Sequence, residues 1–315
     1  MRTITRSLQA VVAIALSAVV MTGCTTGEAE SIGTAETTSS GRQVPDSDRA
    51  SDDGEGHYAA VNGLELYYEI HGTGRPLVLI HGGLDTIDSA FGTLLPDLAK
   101  TRQVIAVELQ AHGHTADIDR PLRYELMADD IVGLVTHLGL EKVDVLGYSL
   151  GGGVAQQLGS RNPDLVNKLV VISAPYKSDG WYPEVRAGMA AMNPDAMTAT
   201  PMHEIYAQTA PKPSEWPVLV TKTRELLAEN YDWTAAIASI TAPTLVVIAD
   251  FDSVRLTHAV ELFGLLGEGK ADGAMGGAPS SRLAVVPGSL HYNILSRTDL
   301  LLPIISPFLD EPNPK

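Results

Sequence analysis

The chain has 315 residues, 44% hydrophobic and 19% charged, which fits a globular protein of one large domain or two smaller ones. Its formal net charge of -16 repels phosphate backbones and weighs against nucleic-acid binding. A single cysteine, Cys24, leaves no intrachain disulfide to form.

From the start of the chain, Arg2 and Arg6 precede LQAVVAIALSAVVM. That apolar run is roughly fourteen residues, short of the about twenty that span a bilayer as a helix. It ends in M-T-G-C, which resembles the lipobox of bacterial lipoproteins, with Met21 where leucine is commoner. The resemblance implies cleavage before Cys24 and acylation of that residue, so residues 1–23 are expected to be a signal peptide. An ordinary secretory signal with an incidental cysteine is the alternative. Residues 24–56 are rich in Thr, Ser, Gly and acids, bury too little to order themselves, and read as a disordered acidic tether. As a flexible coil such a tether spans on the order of 30 Å. The expected location is extracytoplasmic and lipid-anchored through Cys24, or secreted.

The folded domain is expected over residues 57–315. YAAVNGLELYYEIHG reads as a hairpin turning at Asn62-Gly63. PLVLIH and QVIAVEL are strands buried on both faces, separated by a short helix, FGTLLPDLAK, that Pro96 threatens to break. YELMADDIVGLVTHLGL has helical spacing and ends near Gly139. VDVLGY, KLVVIS, TLVVIA and RLAVVP follow as strands. LGGGVAQQLGSR, LTHAVELFGLL and TDLLLPIISPFL follow as helices, the last kinked or delayed by Pro303. The alternation predicts an α/β fold, a mostly parallel doubly wound sheet with the hairpin on one edge. Residues 176–240 are too long for one crossover and too rich in proline for one helix; an inserted helical cap fits them. Residues 267–281 read as a Gly-rich connection without phosphate-loop spacing.

Ligands of open parallel sheets collect at the C-terminal strand ends. Three such ends carry, in order, Ser, Asp and His. In G-Y-S-L-G, strand before and helix after make Ser149 a nucleophile on a sharp elbow rather than a plain turn of small residues. In A-D-F-D-S, Asp250 and Asp252 both qualify to orient a base. In P-G-S-L-H, His291 is the candidate general base, while His258 lies on a helix where a solvated or capping role is expected. The loop L-I-H-G-G-L lets the main chain approach a developing oxyanion: the amides of Leu150 and Gly83 are the expected donors, with Leu84 next and His81 shaping the loop.

From about Asn62 to Pro307 the chain resembles the α/β-hydrolase superfamily, on HGG, GYSLGG, DFD and the late histidine in that order. It is most similar to the capped group of esterases, cofactor-free haloperoxidase-like enzymes and carbon–carbon bond hydrolases. The second acid of D-x-D is the usual partner of histidine there, which points to Asp252. Q-A-H-G-H-T departs from the usual loop at Glu108 and Ala111. His112 and His114 form no metal pair without a further ligand nearby. The resemblance implies a serine hydrolase acting on a small to medium carboxylic ester, with no metal or organic cofactor. Serine at the elbow argues against the dehalogenase and epoxide-hydrolase branches, which use aspartate. Perhydrolase or C–C hydrolase chemistry on the same residues is the first alternative, and a non-catalytic surface binding lipoprotein the second. Trp181, Tyr182, Met189, Met192, Met197, Met202, Tyr206 and Trp216 of the cap either line an adaptable apolar pocket or form the cap's own core.

Overall fold

The computed structural model describes residues 56–267 and 280–313. The expected signal peptide, Cys24, the tether up to residue 55 and most of the Gly-rich connection lie outside the described residues; Gly56, expected at the end of the tether, opens the first strand. Strands β1 (Gly56–Val61), β2 (Leu64–His71), β3 (Arg75–Ile80), β4 (Arg102–Val107), β5 (Val143–Tyr148), β6 (Val166–Ile172), β7 (Thr244–Phe251) and β8 (Arg282–Leu290) form one sheet. Its order is β1-β2-β4-β3-β5-β6-β7-β8. β1 pairs antiparallel with β2, and β2 antiparallel with β4; all other pairs are parallel. The hairpin turns at Asn62 and Gly63 with φ of 48° and 85°, the positive pair that a two-residue turn matching strand twist requires.

The apolar runs of the central strands follow from burial on both faces. Val78, Ile80, Ile105, Val107 and Val145 pack into one core cluster. Leu77, Leu79, Val104, Ala106 and Leu146 pack into the other. The side-chain period of two thus sends alternate residues to opposite helical layers. Buried on both sides, the sheet holds the ends of its strands rigidly in place.

Two helices differ from expectation at proline. Pro96 sits in the first turn of its own short helix, Leu95–Leu98, preceded by a separate one, Ile87–Phe91, capped by Thr86. Proline is tolerated there because a first-turn amide has no helical partner to lose. The last helix, Thr298–Asp310, is not delayed: it runs through Pro303 and Pro307. Both prolines are exposed, so water can meet the carbonyls their rings leave unbonded. The insertion between β6 and β7 holds Pro183–Ala190, Pro194–Met197, Pro201–Thr209, Trp216–Ala228 and Thr234–Ala238. Proline opens the first three and is second in the fourth, which explains a cap of short segments.

Under the sheet's opposite rim, Arg102 is 2% exposed and bonds Asp144 at 3.1 Å and Asp310 at 2.5 Å. Lys168 Nζ donates to the carbonyls of Phe308 and Leu309 at 2.6 and 3.3 Å and to that of Glu311, closing the last helix. Removing one acid leaves a buried guanidinium short of a partner. Asp144→Ala is therefore expected to cost roughly 3 kcal/mol in a denaturant titration.

Besides His291, three histidines are buried among the described residues. His81 Nδ1 donates to the Gly82 carbonyl at 2.7 Å and Nε2 accepts the Leu109 amide at 3.1 Å. His112 Nδ1 donates to the Gln110 carbonyl at 2.8 Å. His258 is 1% exposed, stacks on Tyr176 at 4.2 Å and accepts its amide at 3.3 Å, which corrects the solvated or capping role expected for it. Its ring fills a gap between helix and loop where an exposed helical position was expected. Burial pushes His81 down to about 3, and His112 and His258 down to about 4, from an ordinary 6.5. The unfolded chain therefore takes up protons that the folded one refuses. Their contribution to stability is complete above about pH 6.5 and is lost as pH falls toward the folded values. Unfolding free energy measured from pH 6.5 to 4.5 should fall with a slope that His258→Gln reduces by about one proton. An unchanged slope contradicts this.

Candidate active site

β5 ends at Tyr148, and the helix Leu150–Arg161 starts at the next residue but one. Ser149 makes the reversal alone, with φ 52° and ψ -116°. L-residues rarely adopt that conformation, and holding one costs of order 1–3 kcal/mol. The surroundings enforce it: the Ser149 amide donates to the Ile172 carbonyl at 2.9 Å, and its carbonyl accepts the Gly152 amide at 3.0 Å. The flanking glycines are required by contact. A Cβ on Gly147 would meet the Gly151 carbonyl oxygen at 2.2 Å, and one on Gly151 the Ile80 oxygen at 2.2 Å.

The β8 loop brings His291 to this point. His291 Nε2 lies 3.0 Å from Ser149 Oγ, and Nδ1 lies 2.8 Å from Asp252 Oδ1. His291 is 4% exposed. Asp252 also accepts the Val254 amide at 3.1 Å on Oδ1, and the Ala249 amide at 3.0 Å and the Ser173 hydroxyl on Oδ2. Burial pushes its carboxyl up, but the bonds from His291, Ser173 and the Val254 amide outweigh it, and the group ends below the ordinary carboxylate range. Asp252 is thus a carboxylate, so Nδ1 carries the proton it donates, and Nε2 faces Ser149 as an acceptor.

Asp250 is turned elsewhere. Its Oδ2 accepts the Gly288 amide at 2.9 Å and its Oδ1 the Ser289 amide at 3.1 Å, shaping the loop that carries His291. Gly83 faces the elbow, with Leu150 Cδ1 3.4 Å from where its Cβ would stand. Leu150 opens its helix, so its amide has no intrahelical acceptor. Leu84 takes φ 65° and turns the loop beside them. His114 pairs with Glu108 at 2.9 Å and stacks on Tyr67, apart from the His112 bond to Gln110. Among the described residues no group of three or more potential ligands is placed to hold a metal.

Three residues beside this cluster, Ser173, Tyr148 and Asp85, were not read from the sequence, and Trp181 was read only as a residue of the cap. Ser173, the last residue of KLVVIS, bonds Asp252; its place at a C-terminal strand end, with φ 53°, was the available signal. Tyr148 donates its hydroxyl to the His291 carbonyl at 2.7 Å. Trp181 from the cap stands edge-on to His291 at 5.6 Å. Asp85, on the H-G-G-L-D loop, accepts from Ser89 at 3.2 Å, and burial pushes it up to about 6. Of the cap residues, Tyr206 and Trp216 form a cluster with Leu84 and Ala111, against which Met192, Met197 and Met202 pack. They are core to the cap and join it to the loops at the strand ends.

Residues 75–201 match the family described as alpha/beta hydrolase fold. The soluble epoxide hydrolase of Corynebacterium sp. strain C12 is 37% identical over 119 residues, 37% of this chain and 40% of that one. A putative esterase/lipase of Haemophilus influenzae is 33% identical over 107 residues, 33% of this chain and 37% of that one. The matches thus span well under half the length of these curated relatives. The meta-cleavage product hydrolase from Pseudomonas fluorescens IP01 superposes with a TM-score of 0.61 at 19% identity, covering 82% of this chain and 97% of that one. Sheet order and superposition agree on the α/β-hydrolase fold, and residues 75–201 are similar to the family of that name.

Proposed function

We propose that the protein is a serine hydrolase that cleaves small to medium carboxylic esters through an acyl-enzyme. The observation that carries this reading is the unbroken hydrogen-bond chain Ser149–His291–Asp252, at 3.0 and 2.8 Å, ending on a strained elbow. His291 Nε2 takes the Ser149 proton as Oγ attacks the ester carbonyl. Asp252 holds the Nδ1–H tautomer and stabilises the imidazolium that forms. The carbonyl oxygen, now negative, meets the amides of Leu150 and Gly83, each worth roughly 3–4 kcal/mol in such sites. Collapse expels the alcohol, which takes its proton from His291. Water, deprotonated by the same nitrogen, then releases the acid and frees Ser149.

Serine at the elbow separates this chain from an aspartate-nucleophile mechanism, whatever the chemistry of its epoxide-hydrolase relative. Trp181 edge-on to His291 supports an apolar surface for the leaving group. The anchoring reading also stands as a proposal: acylated Cys24 tethers the domain to a membrane outside the cytoplasm.

Two outcomes test these proposals. On p-nitrophenyl esters, Ser149→Ala and His291→Ala should lower kcat by about 10⁴-fold or more, and Asp252→Asn by a similar order, with thermal midpoints near wild type. Folded variants that retain turnover, or peroxide-dependent halogenation outrunning ester cleavage, would overturn the reading. In cell fractionation the full chain should sediment with membranes and Cys24→Ala should be released; equal partition of the two contradicts the anchor.

A further inference from the structure

Among the described residues, those other than glycine with positive φ are Asn62, Leu84, Ala111, Ser149 and Ser173. Asn62 makes the hairpin turn, a place that suits asparagine. The other four follow the C-terminal ends of β3, β4, β5 and β6 in turn, so backbone strain gathers at the rim that carries the candidate site. Ser149 holds its conformation as the elbow. Ser173, at φ 53° and 1% exposed, stands where glycine would sit without strain, so its side chain calls for a reason.

The hydroxyl supplies one. Those of Ser160, Ser239, Ser289 and Ser296 turn back to the main chain and donate to the carbonyl three residues earlier. The Ser173 hydroxyl instead reaches across 79 positions of sequence and donates to Asp252 Oδ2 at 2.5 Å. Main chain on both sides aims it there. The Ser173 amide donates to the Val247 carbonyl of β7 at 2.9 Å, and the carbonyl of Ile172 before it accepts the Ser149 amide at 2.9 Å. Of the donors to Asp252, the Ala249 and Val254 amides belong to its own segment, and His291 is the group it orients. Ser173 alone among them ties the carboxylate to β6, and through β6 to the elbow. Burial raises the Asp252 carboxyl, and the bond from His291, followed by that from Ser173, brings it below its ordinary range.

We infer that Ser173 is a positioning residue for the proposed triad: its hydroxyl holds Asp252 Oδ2 so that Oδ1 stays on His291 Nδ1, in register with Ser149. The inference rests on the serine-hydrolase reading and adds a residue to its machinery. Without this donor the carboxylate keeps more of its charge for His291, and the imidazolium gives up its proton less readily. The base works unprotonated, so the acid limb of kcat/KM moves to higher pH. The other ionisable groups facing the pair are Asp85 from the loop after β3, Tyr148 at the end of β5 and Tyr292 beside His291, while Asp250 is bonded to the Gly288 and Ser289 amides. All of them are present in both variants below.

The experiment measures p-nitrophenyl butyrate hydrolysis from pH 5 to 9 by wild type, Ser173→Ala and Ser173→Gly. Both variants should lose about tenfold in plateau kcat with KM within about threefold, and the midpoint of the acid limb should rise by about half a unit to one unit. Should Ser173→Ala fail to fold, Ser173→Gly carries the test, because glycine takes this φ freely. A role through backbone strain alone predicts a raised thermal midpoint in Ser173→Gly with turnover untouched. That result, or turnover lost with an acid limb that does not rise, overturns the inference and leaves the hydrolase reading intact. A wild type that cleaves no ester overturns both.

Discussion

The hydrogen bond from His291 Nδ1 to Asp252 Oδ1 is the contact on which the proposed chemistry depends. It fixes which imidazole nitrogen carries the proton and which is left to face Ser149. A loop histidine free to rotate or to take either tautomer would present a base only part of the time. Here Asp252 is held by the Val254 amide on the oxygen that faces His291 and by Ser173 and the Ala249 amide on the other, and the His291 carbonyl is held by Tyr148. The imidazole is therefore clamped from both ends of its segment, as the proposed role of base requires.

That clamp works only because the sheet beneath it does not give. Ser149, Asp252 and His291 stand just beyond β5, β7 and β8, and β6 lies between the first two and contributes Ser173. The central strands are buried on both faces, and their spacing sets the separation of the loops. The cost of the elbow at Ser149 is offset by close packing of Gly147 and Gly151 against main chain that cannot move. At the opposite rim Arg102, Asp144 and Lys168 fasten the last helix to the sheet. The cap meets this base through the cluster around Leu84 and Ala111, through Trp181 and Leu226 in the main core, and through Lys222, whose Nζ donates to Asp117 at 2.6 Å, so it is registered to the loops at the strand ends.

The strands were legible because continuous apolar runs between turn residues leave few alternatives, and the hairpin because Asn62-Gly63 suits positive φ. Ser149, Asp252 and His291 could be named because each follows such a run at a C-terminal end. The preference for Asp252 over Asp250 came from family resemblance alone; spacing could not show that Asp250 would turn to the Gly288 and Ser289 amides. Ser173 and Asp85 stayed hidden for a related reason. Their significance lies in which way a side chain points across the fold, and periodicity carries no such information. Pro96 and Pro303 misled by their composition: what a proline does to a helix depends on its turn and on its exposure. His258 misled because a polar residue on an amphipathic helix was read as outward-facing, whereas stacking on Tyr176 holds it inside.

The central claim is that Ser149 is a nucleophile made reactive by His291. Its most direct test is to treat the folded protein with a fluorophosphonate and locate the adduct by peptide mass. The account predicts one phosphonyl group per chain, on the peptide containing Ser149, with labelling slowed strongly when His291 is replaced by Ala. No adduct on wild type, or an adduct that persists elsewhere in Ser149→Ala, would contradict it.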